Sequence, residues 1–215
     1  MLRDYLVKDK ILEGAEKLFF QYGVRSVSMD DVARELSVSK KTLYQYFTNK
    51  DELVVDVTEL SLTKEKEQFK GISEDAENAI NELFLLSACI RHTVNHINPA
   101  LIYDLKKYHP EAWEKFQTYK YDFVRGTVMD NIRRGKSEGY YRSELNEEVL
   151  SILRVEGIQM IFDGVFSKIT NISFAEIHMQ LFDHFVYGLL TPEGTAQFEM
   201  YKADELNIEL TKKPL

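Results

Sequence analysis

The chain has 215 residues, 44% of them hydrophobic and 29% charged, with 10 Gly, 4 Pro and one Cys, Cys89. That length carries a well-buried core. The scarcity of Gly and Pro argues against a β-rich fold with many tight turns, and a single Cys forbids an intramolecular disulfide, in keeping with a reducing compartment. The N-terminus lacks a cationic segment followed by an apolar run, and no stretch approaches the ~20 apolar residues of a membrane span, so the expectation is a cytoplasmic protein with no membrane partner.

The formal net charge of −8 argues against a nucleic-acid binder until its distribution is read. Residues 1–50 hold nine Lys/Arg against seven Asp/Glu, and the acidic excess falls in the rest of the chain. The stretch from Ser37 to Lys50 has three lysines and no acid. A phosphate-binding face can therefore be local, while the acidic remainder limits non-specific DNA binding.

In chain order, helical periodicity dominates. Ile11, Ala15, Leu18, Phe19 and Tyr22 recur at spacings of three and four and mark the buried face of a first helix, which Gly23 ends as a left-handed cap. Ser28, with Asp31 three residues on, opens a short second helix with Val32, Ala33 and Leu36 inward. Ser37 and Val38 form a turn. Ser39 caps a third helix to about Phe47, and Thr48 and Asn49 compete to cap a fourth, expected to end near Gly71. A fifth is expected from about Asp75 to Ile97, then a short helix between Asn98-Pro99 and His109-Pro110, then a helix through Trp113 that decays into Gly135 and Gly139. Two more follow, over about 147–166 and, behind the cap Ser173, over about 174–190. A last short one is expected near 197–202.

Three short helices in the first ~47 residues, with only a few residues between the second and third, match a helix-turn-helix, whose second helix enters the major groove while the first braces against the backbone. On the third helix Leu43 and Phe47 must face inward. Lys40, Lys41, Thr42, Tyr44, Gln45 and Tyr46 then face outward with donors, acceptors and a methyl group for base edges and phosphates. The helix N-termini capped by Ser28 and Ser39 add backbone amides.

Residues 8–55 resemble the DNA-binding domain of the tetracycline-repressor (TetR/AcrR-like) family. The resemblance is carried by Ile11 to Tyr22 with Gly23, by Ser28 to Ala33, by Ser39 to Phe47 and by Asn49 to Leu53. One departure is Ser37, where relatives often have Gly at the turn. The resemblance implies a homodimer on a palindromic operator of double-stranded DNA, with Tyr44, Tyr46 and Lys50 on phosphates, Lys40, Lys41, Thr42 and Gln45 at base edges, and Ser28 anchoring the second helix. It also implies an unknown small-molecule effector.

The expected architecture is all-α: a helix-turn-helix DNA-binding domain over 1–50 and a larger helical regulatory and dimerisation domain over 51–215. An apolar cavity for an effector is expected among Phe84, His92, His96, Tyr103, Trp113, Phe116 and Phe123, and a dimer face among Leu153, Ile161, Phe162, Leu181, Phe182, Phe185 and Leu189. His92 and His96 stand one helical turn apart, a metal-binding spacing, but no third ligand motif accompanies them. Nucleophile elbows, phosphate loops and dinucleotide fingerprints are absent from the sequence. The function expected is therefore a ligand-responsive repressor without cofactor, metal or catalytic residues. Its alternatives are an activator of the same fold and a helical metal-binding enzyme using His92 and His96.

Overall fold

The computed structural model describes residues 2–98, 100–166 and 171–212, and side chains over 7–98, 100–166 and 171–203. The chain is all-α. Its helices are α1 (Leu2–Tyr22), α2 (Met29–Glu35), α3 (Lys40–Tyr46), α4 (Lys50–Asp75), α5 (Ala79–His96), α6 (Ala100–Tyr108), α7 (Pro110–Thr118), α8 (Arg125–Ser137), α9 (Glu147–Phe162), α10 (Phe174–Leu189) and α11 (Pro192–Lys212), with a π-helical turn at Tyr119–Val124. Among the described residues there is no strand beyond one isolated bridge, Tyr141 to Leu190, and no helix long and apolar enough to cross a membrane.

The backbone divides into two compact units: residues 1–67 with 96–120, and residues 68–95 with 121–215. The expected boundary at residue 50 falls within the first of these units, where 51–67 and 96–120 cluster with the N-terminal helices. In the first unit the core is Ile11, Ala15, Phe19, Val24, Val27, Val32, Leu43, Phe47, Leu53 and Val54, all nearly inaccessible. Tyr22, expected inward, is exposed, since α1 has already reached its capping glycine. Gly23 takes φ +78 and its N–H donates to the Phe19 carbonyl at 2.9 Å, a left-handed helix ending that only glycine adopts freely.

In the second unit Ala79, Ile80 and Leu83 of α5 pack with Ile132, Tyr141, Phe182, Val186, Leu189 and Phe198. The Tyr141 ring fills the space above Gly135, where a Cβ would approach ring carbons to 2.2 Å.

Several boundaries differ from expectation. Helix α4 runs through Gly71 to Asp75, a glycine in a helix interior costing only about 1 kcal/mol. Helix α5 opens at Ala79 rather than Asp75 because Asn78 Oδ1 accepts from the N–H groups of Ile80 and Asn81 at 3.0 and 2.9 Å. The helix expected from Trp113 onward is two helices joined by the π turn. Helix α9 stops at Phe162, with Gly164 at φ +67 beyond it, and the C-terminal helix is far longer than expected. Pro99 lies outside the described residues, and the Asn98 amide next to it donates to the Phe20 carbonyl at 2.7 Å.

Candidate nucleic-acid interface

The paired helices α2 and α3 are built by short-range capping. Ser28 and Asp31 form a reciprocal capping box. The Asp31 N–H donates to Ser28 Oγ at 3.2 Å and the Ser28 N–H to Asp31 Oδ2 at 2.9 Å; the Ser28 hydroxyl also donates to Asp31 Oδ2 at 2.5 Å, and that bond first, then the one from the Ser28 N–H, holds the Asp31 carboxyl below its ordinary range. At the other end of α2 the Val38 N–H reaches the Ala33 carbonyl (3.0 Å) and the Ser37 N–H the Arg34 carbonyl (3.1 Å). That is a Schellman ending, and Ser37 occupies its left-handed position at φ +54, a position that favours Gly. Ser39 then caps α3 by accepting from the Thr42 N–H at 3.0 Å. Asn49 wins the competition to cap α4, accepting from the Glu52 N–H at 2.9 Å.

Leu43 and Phe47 are both 0% exposed and fasten α3 to the core, so its outer face is fixed. On that face Lys41, Tyr44 and Gln45 are exposed, Thr42 and Tyr46 half-buried. Lys40 is exposed but paired with Asp30 at 2.6 Å, a surface pair worth little and open to competition by a phosphate. The Thr42 and Ser39 hydroxyls lie 2.8 Å apart. Lys50 differs from the expected free surface cation. Its Nζ donates to the Val24 carbonyl at 2.6 Å, and partial burial lowers its pKa. It closes the loop after α1, with its remaining donors left for a further contact.

The same unit holds contacts that no spacing in the sequence announces. Asp104 of α6 is buried and accepts from the Arg25 N–H at 2.9 Å, directly behind Gly23. His109 Nδ1 lies 2.7 Å from Asp51 Oδ1 at the start of α4, and the Arg25 guanidinium sits over the Tyr108 ring at 5.6 Å. With the Asn98 bond to Phe20, these tie α6 along its length to the α1–α2 loop and to the helix that follows α3. All are contacts between residues far apart in sequence, which periodicity cannot announce.

The residues expected to line an effector cavity fall in both units. His96, Tyr103, Trp113 and Phe116 belong to the first unit, and Phe84, His92 and Phe123 to the second. Tyr103, His92 and His96 are exposed, Trp113 stacks on Phe116 (5.5 Å) and Phe84 on Tyr201 (5.7 Å). Phe123 lines a cleft of about 460 Å³ in the second unit with Phe69, Glu82, Asp122, Asn131 and Arg134. Among the described residues no group of three or more His, Cys, Asp and Glu is placed to hold a metal ion.

The expected dimer face also divides. Phe182 and Leu189 sit in the core of the second unit and Ile161 is buried, so these three have no surface to offer a partner. Phe162, Leu181 and Phe185 are half-buried, and Leu153 is 59% exposed. Beside Leu153, α9 exposes Val149, Ile152 and Met160, three residues that the expectation omitted.

Residues 11–57 match the model of the bacterial regulatory proteins of the tetR family. The HTH-type transcriptional regulator YvaF of Bacillus subtilis is 25% identical over 186 residues, which is 86% of this chain and 96% of YvaF. An HTH-type regulator of Staphylococcus aureus is 38% identical over 68 residues, 32% of this chain and 37% of its own length, so that likeness spans little more than a third of the relative. Among solved structures, a transcriptional regulator from Saccharomonospora viridis in complex with choline shares the fold with TM-score 0.68 at 18% identity, covering 87% of this chain and 99% of that one. Escherichia coli NemR, in its reduced form, does so with TM-score 0.69 at 14% identity, over 86% and 97%.

Proposed function

Because the chain belongs to the TetR family of bacterial transcriptional regulators, DNA-binding proteins rather than enzymes, we propose that it is a ligand-responsive repressor that binds a palindromic operator as a homodimer. The observation that carries this reading is the face of α3. Lys41, Tyr44 and Gln45 stand exposed above two fully buried anchors, and no acid interrupts them. In this reading α3 lies in the major groove, Lys41 and Gln45 at base edges and Tyr44 and Tyr46 on phosphates. A palindrome requires two heads related by a two-fold axis. The exposed stripe of Val149, Ile152, Leu153 and Met160 on α9 supplies an apolar surface for a second copy. Repression follows most simply from occupying a promoter, in the cytoplasm where the DNA is. Effector response would pass through α6, since bonds from Asp104 on it and from Asn98 and His109 beside its two ends hold the segments that flank the reading head.

The test is selection of the protein on random duplex DNA, followed by titration at several salt concentrations. An inverted repeat bound more weakly as salt rises is expected. Lys41→Ala should cost about 1–3 kcal/mol and relax preference at one position of each half-site, whereas Tyr44→Ala should weaken all sequences alike. No enriched sequence, or a single unrepeated half-site bound by a monomer, would overturn the reading.

A further inference from the structure

Arg154 lies on the inner side of α9 and is 6% exposed, and His178 on α10 is 4% exposed. Along α10, His178, Phe182 and Phe185 fall four and three residues apart and share one face. The Arg154 guanidinium sits over that face, 5.1 Å from the Phe182 ring centroid and 5.8 Å from that of Phe185. Among the described residues no carboxylate pairs with it. Burial lowers its pKa to about 10, which leaves it charged at neutral pH. His178 Nδ1 is buried without a hydrogen-bond partner, and burial, then the Arg154 charge, lowers its pKa to about 4, so the ring is neutral. A buried cation without a counter-ion and a buried imidazole nitrogen without a partner are each costly. Rings engage a guanidinium without using its N–H edges, which can still receive two oxygens.

We propose that Arg154 and His178 form the receptor for a carboxylate-bearing small molecule with an apolar body. The guanidinium grips the carboxylate, the imidazole N–H completes it, and the half-buried Phe185 flanks the body. A carboxylate matches the planar fork of arginine. The apolar rings beside the charge favour an alkyl or aryl acid over a polyanion. The proposal rests on the regulator reading only where binding is meant to reach DNA.

The experiment is thermal melting of the full chain with hexanoate, decanoate or benzoate. Sodium chloride and hexanamide serve as controls for ionic strength and for the uncharged body. Decanoate or benzoate should raise the midpoint in a dose-dependent way, and the controls should not. Arg154→Met should melt no earlier than the parent without ligand and lose the response. Arg154→Lys should retain it with affinity at least about tenfold weaker, the ratio for loss of one charge-assisted bond. If Arg154→Met does not fold, the Lys variant decides. An unresponsive parent, or an equal response in the variants, overturns the proposal. So does a midpoint that ignores carboxylates but rises with protein concentration in the parent and not in Arg154→Met, since the counter-ion would then come from a second copy. Operator affinity is read separately. Carboxylate binding without any change on DNA leaves the receptor standing and removes the ligand-responsive part of the function.

Discussion

The buried polar groups around α3 contrast with one pair in the other unit, where buried Asn131 and Tyr141 bond to each other but Arg154 and His178 do not find such partners. In the unit that carries α1 to α3, buried Asp104 receives a backbone N–H, buried His109 faces Asp51, and half-buried Lys50 donates to a carbonyl. Each bond joins segments that position α3. In the other unit, Arg154 and His178 are as deeply buried but meet phenyl rings and each other's field. A reading head must present one geometry, so its polar groups are spent on rigidity. A unit that holds a charge short of a partner is less stable than it need be, which suits an element completed by something that binds it.

The largest effect is expected from emptying the head's core. Phe47 is 0% exposed where α3 gives way to α4, so Phe47→Ala should cost about 3–5 kcal/mol. Calorimetry then reports how separate the units are. An early transition for residues 1–67 and 96–120, with the later one unmoved, supports two cooperative bodies. A single transition that shifts as a whole would show that α4, which continues from one into the other, fuses them, and the contrast would be one of sites rather than of units.

What the sequence made legible follows the same division. The caps at Ser28, Ser39 and Ser173, the glycine ending at Gly23 and the anchors Leu43 and Phe47 all depend on residues within about one turn, so spacing and residue type reveal them. The α3 face was readable for that reason. The bonds from α6 to the head join positions about 58 to 79 residues apart and leave no local trace. The α9–α10 pair misled because both helices are apolar on more than one side. Phe182 and Leu189 went to the core, Leu153 to the surface, and periodicity alone cannot say which side a second helix covers. Arg154, one residue from Leu153, carried no signal at all, since an arginine among apolar residues ordinarily reaches water.

The next effect separates the units by pH. His178 has its pKa lowered from 6.5 to about 4 in the folded chain, so between those values the unfolded chain binds more protons. Stability is therefore complete above about pH 6.5 and falls as pH drops toward 4, by about 3 kcal/mol in all. Protonation there would set two cations side by side, Arg154 and His178. In the head, the carboxyl of Asp31 is lowered instead, so its contribution persists down through pH 3.8 and is lost only below. Denaturant titrations at pH 7 and 4.5 should show a smaller loss for His178→Asn than for the parent. Equal losses would place the acid sensitivity elsewhere and weaken the contrast.

The smallest effect tests whether the head is free of strain, as its satisfied bonds suggest. One position says otherwise. Ser37 holds φ +54 so that α2 can close its Schellman ending and turn into α3. A residue with a Cβ pays about 1–2 kcal/mol there, while glycine gives back part of that through the freedom of its unfolded chain. Ser37→Gly should thus raise stability by at most about 1 kcal/mol, seen as a higher denaturant midpoint at unchanged slope. Operator affinity should not move, because the side chain lies outside α3 and the backbone path is retained. Weaker DNA binding with higher stability would be the more instructive result: the strained turn would then be part of how the two helices are aimed, and the head, like the α9–α10 pair, would trade stability for its task.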